Sequence, residues 1–156
     1  MGLPAQVRVI KRGWLNSNNI VLFEGERATV IDSGYVTHAE ETVSRVRETL
    51  EGRRPWRLIN THSHSDHIGG NAALKRAFDC QVVIPAGMEE AVAQWDESAL
   101  LLSSSEQRAE RFEHAAVVAA GDELEIGGLA WRAIAAPGHD MAALVFYCTE
   151  RRLLVS

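Results

Sequence analysis

Three histidines and one aspartate fall within six consecutive residues, from His62 to His67, directly after the apolar pair Leu58-Ile59. The full run reads Thr61-His62-Ser63-His64-Ser65-Asp66-His67-Ile68-Gly69-Gly70. Neutral imidazole nitrogens and carboxylate oxygens hold borderline-soft divalent ions such as zinc. A loop at the end of a rigid strand can aim several such groups at one point, so we interpret the cluster as a metal site.

The spacing of these groups indicates how they would be shared between ions. In an extended chain, residues two apart face the same side, so His62 and His64 can converge on one ion and Asp66 continues that side. His67 breaks this alternation and can join the group only if the chain turns there. Ligands that face two ways predict two ions, which typically lie about 3.5–4 Å apart.

Two simpler interpretations of the histidines compete with a metal site. They could be solvated loop residues, or they could form a histidine-rich tract of the kind found in tags and storage segments. Four potential ligands in one short run argue against the first, and the strand, turn and helix signals around the run argue against the second. His38 and His114 stand apart from the cluster, and we expect them to be solvated or structural.

The elements on both sides of the cluster must hold it in place. The apolar run before Asn60 predicts a strand, and Gly69 and Gly70 supply a turn at little steric cost. The other predicted elements are a hairpin of strands 19–23 and 28–31, a helix that opens with a capping box at Thr37 to Glu40 and runs to about Leu50, a helix 71–78, a strand 81–84, a hairpin centred on Gly127-Gly128, a strand 131–135 that leads to His139, and a strand pair 144–147 and 153–155.

A long segment between the cluster and His139 has a helical composition. Residues 87–120 predict helices with a break at residues 103–105. Such an excursion could cover the metal site and shape a substrate pocket, or it could serve only as surface packing, and the sequence leaves both open. Trp95 and Phe112 lie within it and could line that pocket or belong to the core.

The pattern His-x-His-x-Asp-His after a strand, followed by Gly-Gly, resembles the signature of the metallo-β-lactamase superfamily. Val30-Ile31-Asp32-Ser33-Gly34 resembles that family's strand ending in Asp-x-Gly, and Ala136-Pro137-Gly138-His139 resembles its downstream Pro-Gly-His element. The resemblance implies an α/β protein with the αββα four-layer sandwich, in which helices cover the outer faces of two packed sheets. It also implies two zinc ions per complete chain, with iron or manganese as alternatives.

The resemblance assigns a role to seven residues. It implies that His62, His64 and His139 hold the first metal, while Asp66 and His67 belong to the second. It further implies that Asp32 and Thr61 contact the ligands and fix their orientation, as hydrogen-bonded partners of metal ligands commonly do. Taken without the resemblance, Asp32 reads equally well as a turn residue that ends a strand.

The chain departs from the family pattern after the strand at residues 152–156. The family places a bridging aspartate just beyond that strand and a further histidine ligand later, and neither is present in these 156 residues. We therefore expect residues 1–156 to form a single domain truncated at its C-terminal end, mainly the first half of the sandwich. The second sheet would then come largely from the missing half. An uncovered inner face on the first sheet would favour a homodimer, a swapped assembly or poor solubility.

The chemistry implied is hydrolysis of an ester, thioester, lactone or lactam by a zinc-bound hydroxide. Asp66 would orient the attacking group and carry a proton toward the leaving group. The alternatives are a metal-binding fragment or degenerate member without turnover, a phosphodiesterase-type member, and an oxygen-reducing relative with iron. The fragment alone is expected to be inactive or impaired, because the second metal would have only two ligands.

Composition restricts the partners of the protein. The net charge of −5 and the pI near 5.7 argue against a nucleic-acid or anionic membrane surface, so we expect a small-molecule substrate. The chain lacks a signal-like start and an apolar run long enough to span a bilayer, which predicts a cytoplasmic protein. Cys80 and Cys148 lie in apolar contexts and are expected to be small buried hydrophobes rather than nucleophiles.

Overall fold

The computed structural model describes residues 2–156, which fold into two sheets and a set of helices. The strands are β1 Val7–Ile10, β2 Asn19–Glu24, β3 Arg27–Ile31, β4 Arg54–Ile59, β5 Gln81–Pro85, β6 Ala116–Val118, β7 Glu123–Ile126, β8 Leu129–Ala135, β9 Leu144–Cys148 and β10 Leu153–Val155. The α-helices are α1 Ala39–Leu50, α2 Ser65–Ile68, α3 Asn71–Phe78 and α4 Glu89–Gln94, and short 3₁₀ turns cover Val36–His38 and Ala86–Met88. Within this part of the chain, no helix combines the length and apolar character needed to cross a membrane.

The first sheet has the strand order β1-β2-β3-β4-β5-β6. The first three strands pair antiparallel, as the predicted hairpin of β2 and β3 requires, and the strands from β3 to β6 pair parallel. Parallel pairing brings the carboxyl ends of β3, β4 and β5 to one edge of the sheet. In open α/β sheets this edge is where ligands commonly bind, and the loop that carries His62, His64, Asp66 and His67 follows β4 at that edge.

The second sheet has the order β10-β9-β8-β7, and each of its pairs is antiparallel. The turn between β7 and β8 is the predicted Gly127-Gly128, and both glycines have positive φ (63° and 68°). Two consecutive positive φ values are required by the tight two-residue turn whose twist matches paired strands. The hairpin prediction is confirmed, and so is the strand pair β9 and β10.

Two separate cores lie on the two faces of the first sheet. On the outer face, α1 and α3 bury an amphipathic side against the strands, and α1 contributes Val43, Val46 and Leu50. On the inner face, the second sheet packs directly on the first and contributes Trp131 and Phe146, both fully buried. Full burial of one large apolar side chain stabilises by roughly 1.5–3 kcal/mol, so both cores favour the folded state.

The expectation that the inner face of the first sheet lies uncovered is wrong. Strands β7 to β10 supply enough of the second sheet to bury it, so helix, sheet and sheet layers are all present. Some exposed apolar side chains lie on the outer face of the second sheet, where Ile134 is 40% exposed and Leu154 is 58% exposed. The expected homodimer, swapped assembly or poor solubility depended on that uncovered inner face, and association of the chain stays an untested prediction.

The predicted start of the first helix is also wrong. Thr37 lies in the 3₁₀ turn Val36–His38, and α1 begins at Ala39 without a side-chain cap. The Thr37 hydroxyl contacts the His38 ring nitrogen Nδ1 at 3.3 Å instead of a free backbone amide. The predicted end at Leu50 is confirmed, because Glu51 takes up a left-handed conformation (φ 51°) that stops the helix.

The prediction of helices throughout residues 87–120 fails for most of that segment. Only α4 forms, and the chain then runs through turns until β6 begins at Ala116. Left-handed backbone at Trp95 and Leu101 interrupts any continuous helix. Leu100 and Leu102 are still buried in the core between the helices and the first sheet, the helix-side core. The apolar residues of this segment therefore anchor a loop that consists mostly of turns. Trp95 and Phe112 stack edge to face with ring centroids 5.6 Å apart, Phe112 in this core and Trp95 against it.

Candidate metal centre

Three imidazoles converge at the carboxyl edge of the parallel strands. One ring nitrogen from each of His62, His64 and His139 lies within 4.8 Å of the other two. The Nε2 atoms of His62 and His139 are 3.1 Å apart, and the ring centroids of His64 and His139 are 4.1 Å apart. Two residues of one loop and a third 75 positions beyond His64 therefore share one small volume.

The two sheets deliver these histidines from opposite sides. The loop that carries His62 follows β4 in the first sheet, and the turn that carries His139 follows β8 in the second. A backbone hydrogen bond from Leu144 N–H to Thr61 C=O (2.9 Å) ties the start of β9 to the loop after β4. The packing of the two sheets therefore fixes the distance between the loop and the Pro-Gly-His turn.

The backbone of the cluster differs from the extended chain that its spacing suggested. The chain is extended only as far as His64 (φ −66°, ψ 149°), and the one-turn helix α2 begins at Ser65. The expectation that Asp66 continues the side of His62 and His64 by strand alternation is therefore wrong. Asp66 and His67 are adjacent helical residues, with Asp66 Oδ2 3.6 Å from His67 Nε2.

Asp32 is buried beneath the cluster and holds two of its residues. Its carboxylate accepts hydrogen bonds from the Thr61 backbone N–H (2.9 Å) and the Thr61 hydroxyl (2.8 Å). The same carboxylate lies 2.8 Å from Nδ1 of His67, while Nε2 of that ring lies 3.6 Å from Asp66 Oδ2. Asp32 has a positive φ of 58°, which is rare for a residue with a side chain and is retained where surrounding contacts enforce it.

The same carboxylate sets the charge preference of His67. Burial favours the neutral ring, but attraction to Asp32 and the hydrogen bond to it outweigh burial and raise the pKa of His67. The Thr61 hydroxyl also lies 3.1 Å from Nδ1 of His62, so Thr61 connects Asp32 to a second imidazole. Both residues implied by the family resemblance therefore contact ring nitrogens of the cluster.

A buried polar network below α2 was missed by the sequence analysis. Three groups hold the His67 carbonyl: Ser33 N–H at 2.8 Å, the Ser33 hydroxyl at 2.9 Å and the Asn60 side-chain amide at 3.0 Å. Asn71 closes the network by accepting from Ser33 and donating to Asn60. One sequence feature could have indicated this network: small polar residues come directly after two apolar strands, where buried polar groups must find hydrogen-bond partners.

Asp140, next to His139, was also missed. Its Oδ2 accepts hydrogen bonds from the Ser63 hydroxyl (2.9 Å) and the Ser63 backbone N–H (3.2 Å), and its Oδ1 accepts from Ala142 N–H (2.7 Å). Although burial opposes ionisation, these hydrogen bonds lower the pKa of Asp140 below its ordinary value. The ionised carboxylate thus links the Pro-Gly-His turn to the residue between His62 and His64.

Gly69 and Gly70 are required for a different reason from the one their sequence suggested. Both have negative φ (−62° and −93°), so neither needs the freedom of glycine to turn the chain. A Cβ at Gly69 would lie 2.4 Å from Val36 N, and a Cβ at Gly70 would lie 2.4 Å from Ser33 C=O. These glycines let α2 and α3 pack directly against the backbone that follows β3.

Two of the converging imidazoles, those of His62 and His64, are held in the neutral form. Burial, followed by the neighbouring His67, lowers the pKa of His62 to about 4. Burial and the nearby His139 likewise lower the pKa of His64. Neutral imidazoles present free lone pairs, and Nε2 of His64 is a buried nitrogen without a hydrogen-bond partner. Because buried polar atoms are rarely left unpaired, this donor set fits a metal ion at the point where the three rings meet.

The low pKa of His62 predicts a pH effect on the stability of the metal-free chain. Between about pH 6.5 and pH 4 the unfolded state binds more protons at His62 than the folded state, so acid favours unfolding across this range. In His62→Gln this contribution is absent. We expect the decrease in unfolding free energy from pH 6.5 to pH 4, measured by urea denaturation, to be smaller in this variant by on the order of 2 kcal/mol. If the unfolding free energies of the two proteins fell equally between pH 6.5 and pH 4, the low pKa of His62 would be contradicted.

Two cavities flank the imidazoles. One, of about 310 Å³, adjoins His139, and the other, of about 450 Å³, adjoins Asp66 and His67. A larger cavity of about 740 Å³ lies beside α3, where Lys75 and Arg76 form ion pairs with Glu113 and Glu110. The chemistry favours the two smaller cavities, because they adjoin the converging rings.

The remaining candidate side chains lie outside the imidazole group. His38 is partly buried and contacts the Asn16 side-chain amide at 3.2 Å, while His114 Nε2 lies 3.8 Å from Glu89. Cys80 and Cys148 are buried and free, and burial raises the pKa of the Cys80 thiol to about 11. A thiol that stays protonated at neutral pH is a poor nucleophile, in agreement with the sequence interpretation.

The fold and the site together define a two-sheet α/β sandwich with an imidazole-rich centre at the edge of its parallel strands. Residues 12–156 match the family model described as the metallo-beta-lactamase superfamily. The chain therefore belongs to the metallo-beta-lactamase superfamily, and the αββα fold expectation is confirmed with three of its four layers present among residues 2–156.

Curated relatives carry the name hydroxyacylglutathione hydrolase. One from Rhodopseudomonas palustris (strain BisB5) is 30% identical over 104 residues, which are 67% of this chain and 33% of the relative. Another from the same species (strain BisB18) is 36% identical over 99 residues, which are 60% of this chain and 31% of the relative. The chain thus spans about a third of the length of these curated relatives.

Solved structures of metallo-beta-lactamases share the fold. The enzyme from Legionella gormanii superposes with a TM-score of 0.76 at 15% identity, over 92% of this chain and 55% of that chain. The subclass B3 enzyme from Bradyrhizobium japonicum superposes with a TM-score of 0.77 at 17% identity, over 95% of this chain and 55% of that chain. At these identities the likeness shows the fold alone.

Proposed function

We propose that this chain carries the principal metal centre of a zinc-dependent hydrolase that cleaves a thioester or a related ester, lactone or lactam. The observation that carries the proposal is the convergence of three imidazoles, one of which has a buried nitrogen without a partner. In a tetrahedral site with Zn–N of about 2.0–2.1 Å, ligand nitrogens lie about 3.3 Å apart, close to the 3.1 Å between His62 and His139. Small movements of the rings would complete the site.

The donor set assigns His62, His64 and His139 to one zinc ion, with Asp66 and His67 offered to a second. Zinc bound there would lower the pKa of a coordinated water to roughly 7 and polarise the carbonyl of the substrate. The two-ion arrangement rests on His67, whose Nε2 lies 3.6 Å from Asp66 Oδ2 while Asp32 holds Nδ1. Three histidines suit zinc, and iron or manganese remain alternatives because imidazole and carboxylate ligands suit them as well.

Asp66 is the group we assign to proton transfer. Its side chain is about one-third exposed and lies beside His67 Nε2 at the edge of a cavity, where water and substrate can reach it. A carboxylate in that position can orient an attacking water and pass a proton to the leaving group. Neither of the buried cysteines is needed as a nucleophile.

The thioester leads the candidate substrates because the curated relatives are named as hydroxyacylglutathione hydrolases. A small-molecule substrate also agrees with the net charge of −5, which argues against a broad surface for nucleic acid. A phosphodiesterase acting on a small substrate is a weaker alternative, since the curated relatives described above are named as hydroxyacylglutathione hydrolases instead.

A test of the proposed function compares zinc-loaded wild-type chain with Asp66→Asn on a panel of thioesters, esters, lactones and β-lactams. Because the second metal would have only two ligands in this chain, we expect weak thioester hydrolysis that is lost when a chelator removes zinc, and a further reduction of at least about 100-fold in kcat for Asp66→Asn. Glu150→Asn, an exposed acidic residue outside the site, serves as a control and should keep wild-type activity. Tight zinc binding without turnover of any substrate would favour the competing proposal of a metal-binding module.

The position of Asp32 predicts an effect on metal binding. Asp32→Asn keeps the size of the side chain and its tolerance of positive φ, but it removes the charge that Thr61 and His67 face. We expect zinc affinity to fall by about 10- to 100-fold, as found when such partners of metal ligands are changed. Asp79→Asn is the matched control, because Asp79 has a similar φ of 53° but ends α3 away from the rings. Equal affinities in the two variants would contradict the role of Asp32.

A further inference from the structure

The cavity beside His139 has an apolar wall. It measures about 310 Å³, and its lining includes Met88, Ala91, Leu101 and Met141. No lysine, arginine or glutamate belongs to the lining among the described residues. The one carboxylate present, that of Asp140, already accepts hydrogen bonds from Ser63 and Ala142 on both of its oxygens. The free surface of this cavity therefore suits an uncharged, apolar group.

Leu101 is held at the mouth of this cavity by its neighbours. Leu100 and Leu102 are buried in the helix-side core, with 1% and 2% of their surface exposed, while Leu101 between them is 40% exposed. Leu101 has a positive φ of 57°, a conformation that leucine rarely adopts. Anchors on both sides and a strained backbone direct an apolar side chain toward solvent beside the imidazoles, and strain of this kind clusters at ligand sites.

Met141 forms a second exposed apolar group at the same cavity. It lies two residues after His139, and 80% of its surface is exposed. Methionine has a flexible, polarizable side chain that adapts to ligands of varied shape. An isolated exposed apolar residue needs no explanation, but Leu101 and Met141 line one cavity that opens next to the metal-binding rings.

The cavity beside Asp66 and His67 offers more polar groups. It measures about 450 Å³ and is lined by Asn16, Ser17, Asn18 and Asp66, together with the apolar side chains of Ile20, Leu154 and Val155. A substrate that spans both flanks would place its apolar portion on the His139 side and its polar portion on the Asp66 side. The two cavities therefore predict the orientation in which a substrate would bind.

We propose that the cavity beside His139 binds the apolar acyl group of the substrate. The inference rests on the proposed function, in which water cleaves an acyl–sulfur or acyl–oxygen bond to give a carboxylic acid and a thiol or alcohol. At about 30 Å³ for each water-sized group, 310 Å³ holds a chain of no more than about ten carbons. The substrate class is therefore a short- to medium-chain acyl thioester or ester, with its polar leaving group on the Asp66 side.

The proposal can be tested by binding, without any need for turnover. Acetate, butyrate, hexanoate and octanoate are the carboxylate products of such substrates, and each can be titrated into the zinc-loaded chain by calorimetry or NMR. We expect the dissociation constant to decrease about fourfold for each methylene that enters the cavity. In Leu101→Asn and Met141→Gln the gain in binding free energy per methylene should be less than half of the wild-type gain. The affinity for acetate should stay within about twofold of wild type.

Both variants preserve what the backbone requires. Asparagine tolerates positive φ better than leucine, and glutamine has a length and flexibility similar to those of methionine. Ile134→Asn is the matched control, because Ile134 is also 40% exposed but lies on the outer face of the second sheet. This control should keep the wild-type gradient, which separates a specific cavity effect from a general loss of surface apolarity.

The outcomes separate this proposal from the proposed function. A wild-type protein without a chain-length gradient, or an unchanged gradient in Leu101→Asn and Met141→Gln, would overturn the acyl cavity even if hydrolysis is observed. A clear gradient that depends on Leu101 would support the cavity even if no ester or thioester is hydrolysed, and the proposed hydrolysis would then be the part that fails.

Discussion

Replacing His62 with alanine is expected to weaken zinc binding by about 100- to 1000-fold. His62 is the most deeply buried of the three converging histidines, and its Nε2 lies 3.1 Å from Nε2 of His139. Binding free energies of about 10–16 kcal/mol for four-ligand structural zinc sites correspond to roughly 2.5–4 kcal/mol per ligand, which gives a factor of this order. The affinity can be measured by competition with a chelating indicator.

The control for this prediction is His38→Ala. His38 is a partly buried histidine that contacts Asn16 and lies outside the converging group, so its removal should leave zinc affinity within about twofold of wild type. His64→Ala and His139→Ala should resemble His62→Ala. If all four variants bind zinc equally well, the three imidazoles do not form the metal site.

Replacing Gly70 with alanine is expected to destabilise the protein by about 3 kcal/mol or more. The added Cβ would lie 2.4 Å from the Ser33 carbonyl oxygen and 3.1 Å from Ser33 Cβ. The carbonyl belongs to a backbone segment that also holds His67, so it cannot move aside without breaking the hydrogen bonds of the buried network. Overpacking in a well-ordered core typically costs about 1–3 kcal/mol, and lost hydrogen bonds to buried groups add to that figure.

Gly13→Ala provides the comparison for Gly70→Ala. A Cβ at Gly13 meets no atom within 4 Å, and its φ is not in the left-handed region, so we expect a change within about 0.5 kcal/mol. Urea denaturation of the metal-free proteins measures both values. Equal stabilities of the two variants would show that the close approach of α3 to Ser33 is not a constraint on the fold.

The parts of the fold that were predictable from sequence are those set by local chemistry. The Gly127-Gly128 turn was predictable because two adjacent positive φ values demand glycine, and both are observed. The hairpin of β2 and β3 was predictable because apolar runs flank a short turn. Likewise, the candidate cluster could be proposed because the types and spacing of His62, His64, Asp66 and His67 carry their chemistry in the sequence itself.

The errors arose where distant contacts override local preference. Residues 87–120 have a helical composition, but Leu100 and Leu102 anchor in the core and the chain turns between them. Gly69 and Gly70 looked like turn residues, whereas the reason for them is the backbone of Val36 and Ser33, which no local pattern reveals. The same holds for the coverage of the first sheet, which depends on how strands β7 to β10 pack across it.

In the candidate site, too, the features set by local sequence were predictable and those set by distant contacts were not. Asp140 joins the site only because the second sheet brings it to Ser63, 77 residues earlier in the chain. His139 could be placed near the cluster only through the family resemblance, since its separation in sequence carries no distance information. Local spacing suggested an extended path to Asp66, and the start of α2 at Ser65 changed that geometry.

The most direct test of the metal centre is a crystal structure of the zinc-loaded chain, with the ion located by its anomalous scattering. We predict a zinc ion about 2.0–2.1 Å from one ring nitrogen each of His62, His64 and His139. An ion bound at other residues, or ordered imidazoles with no ion between them at saturating zinc, would contradict the account.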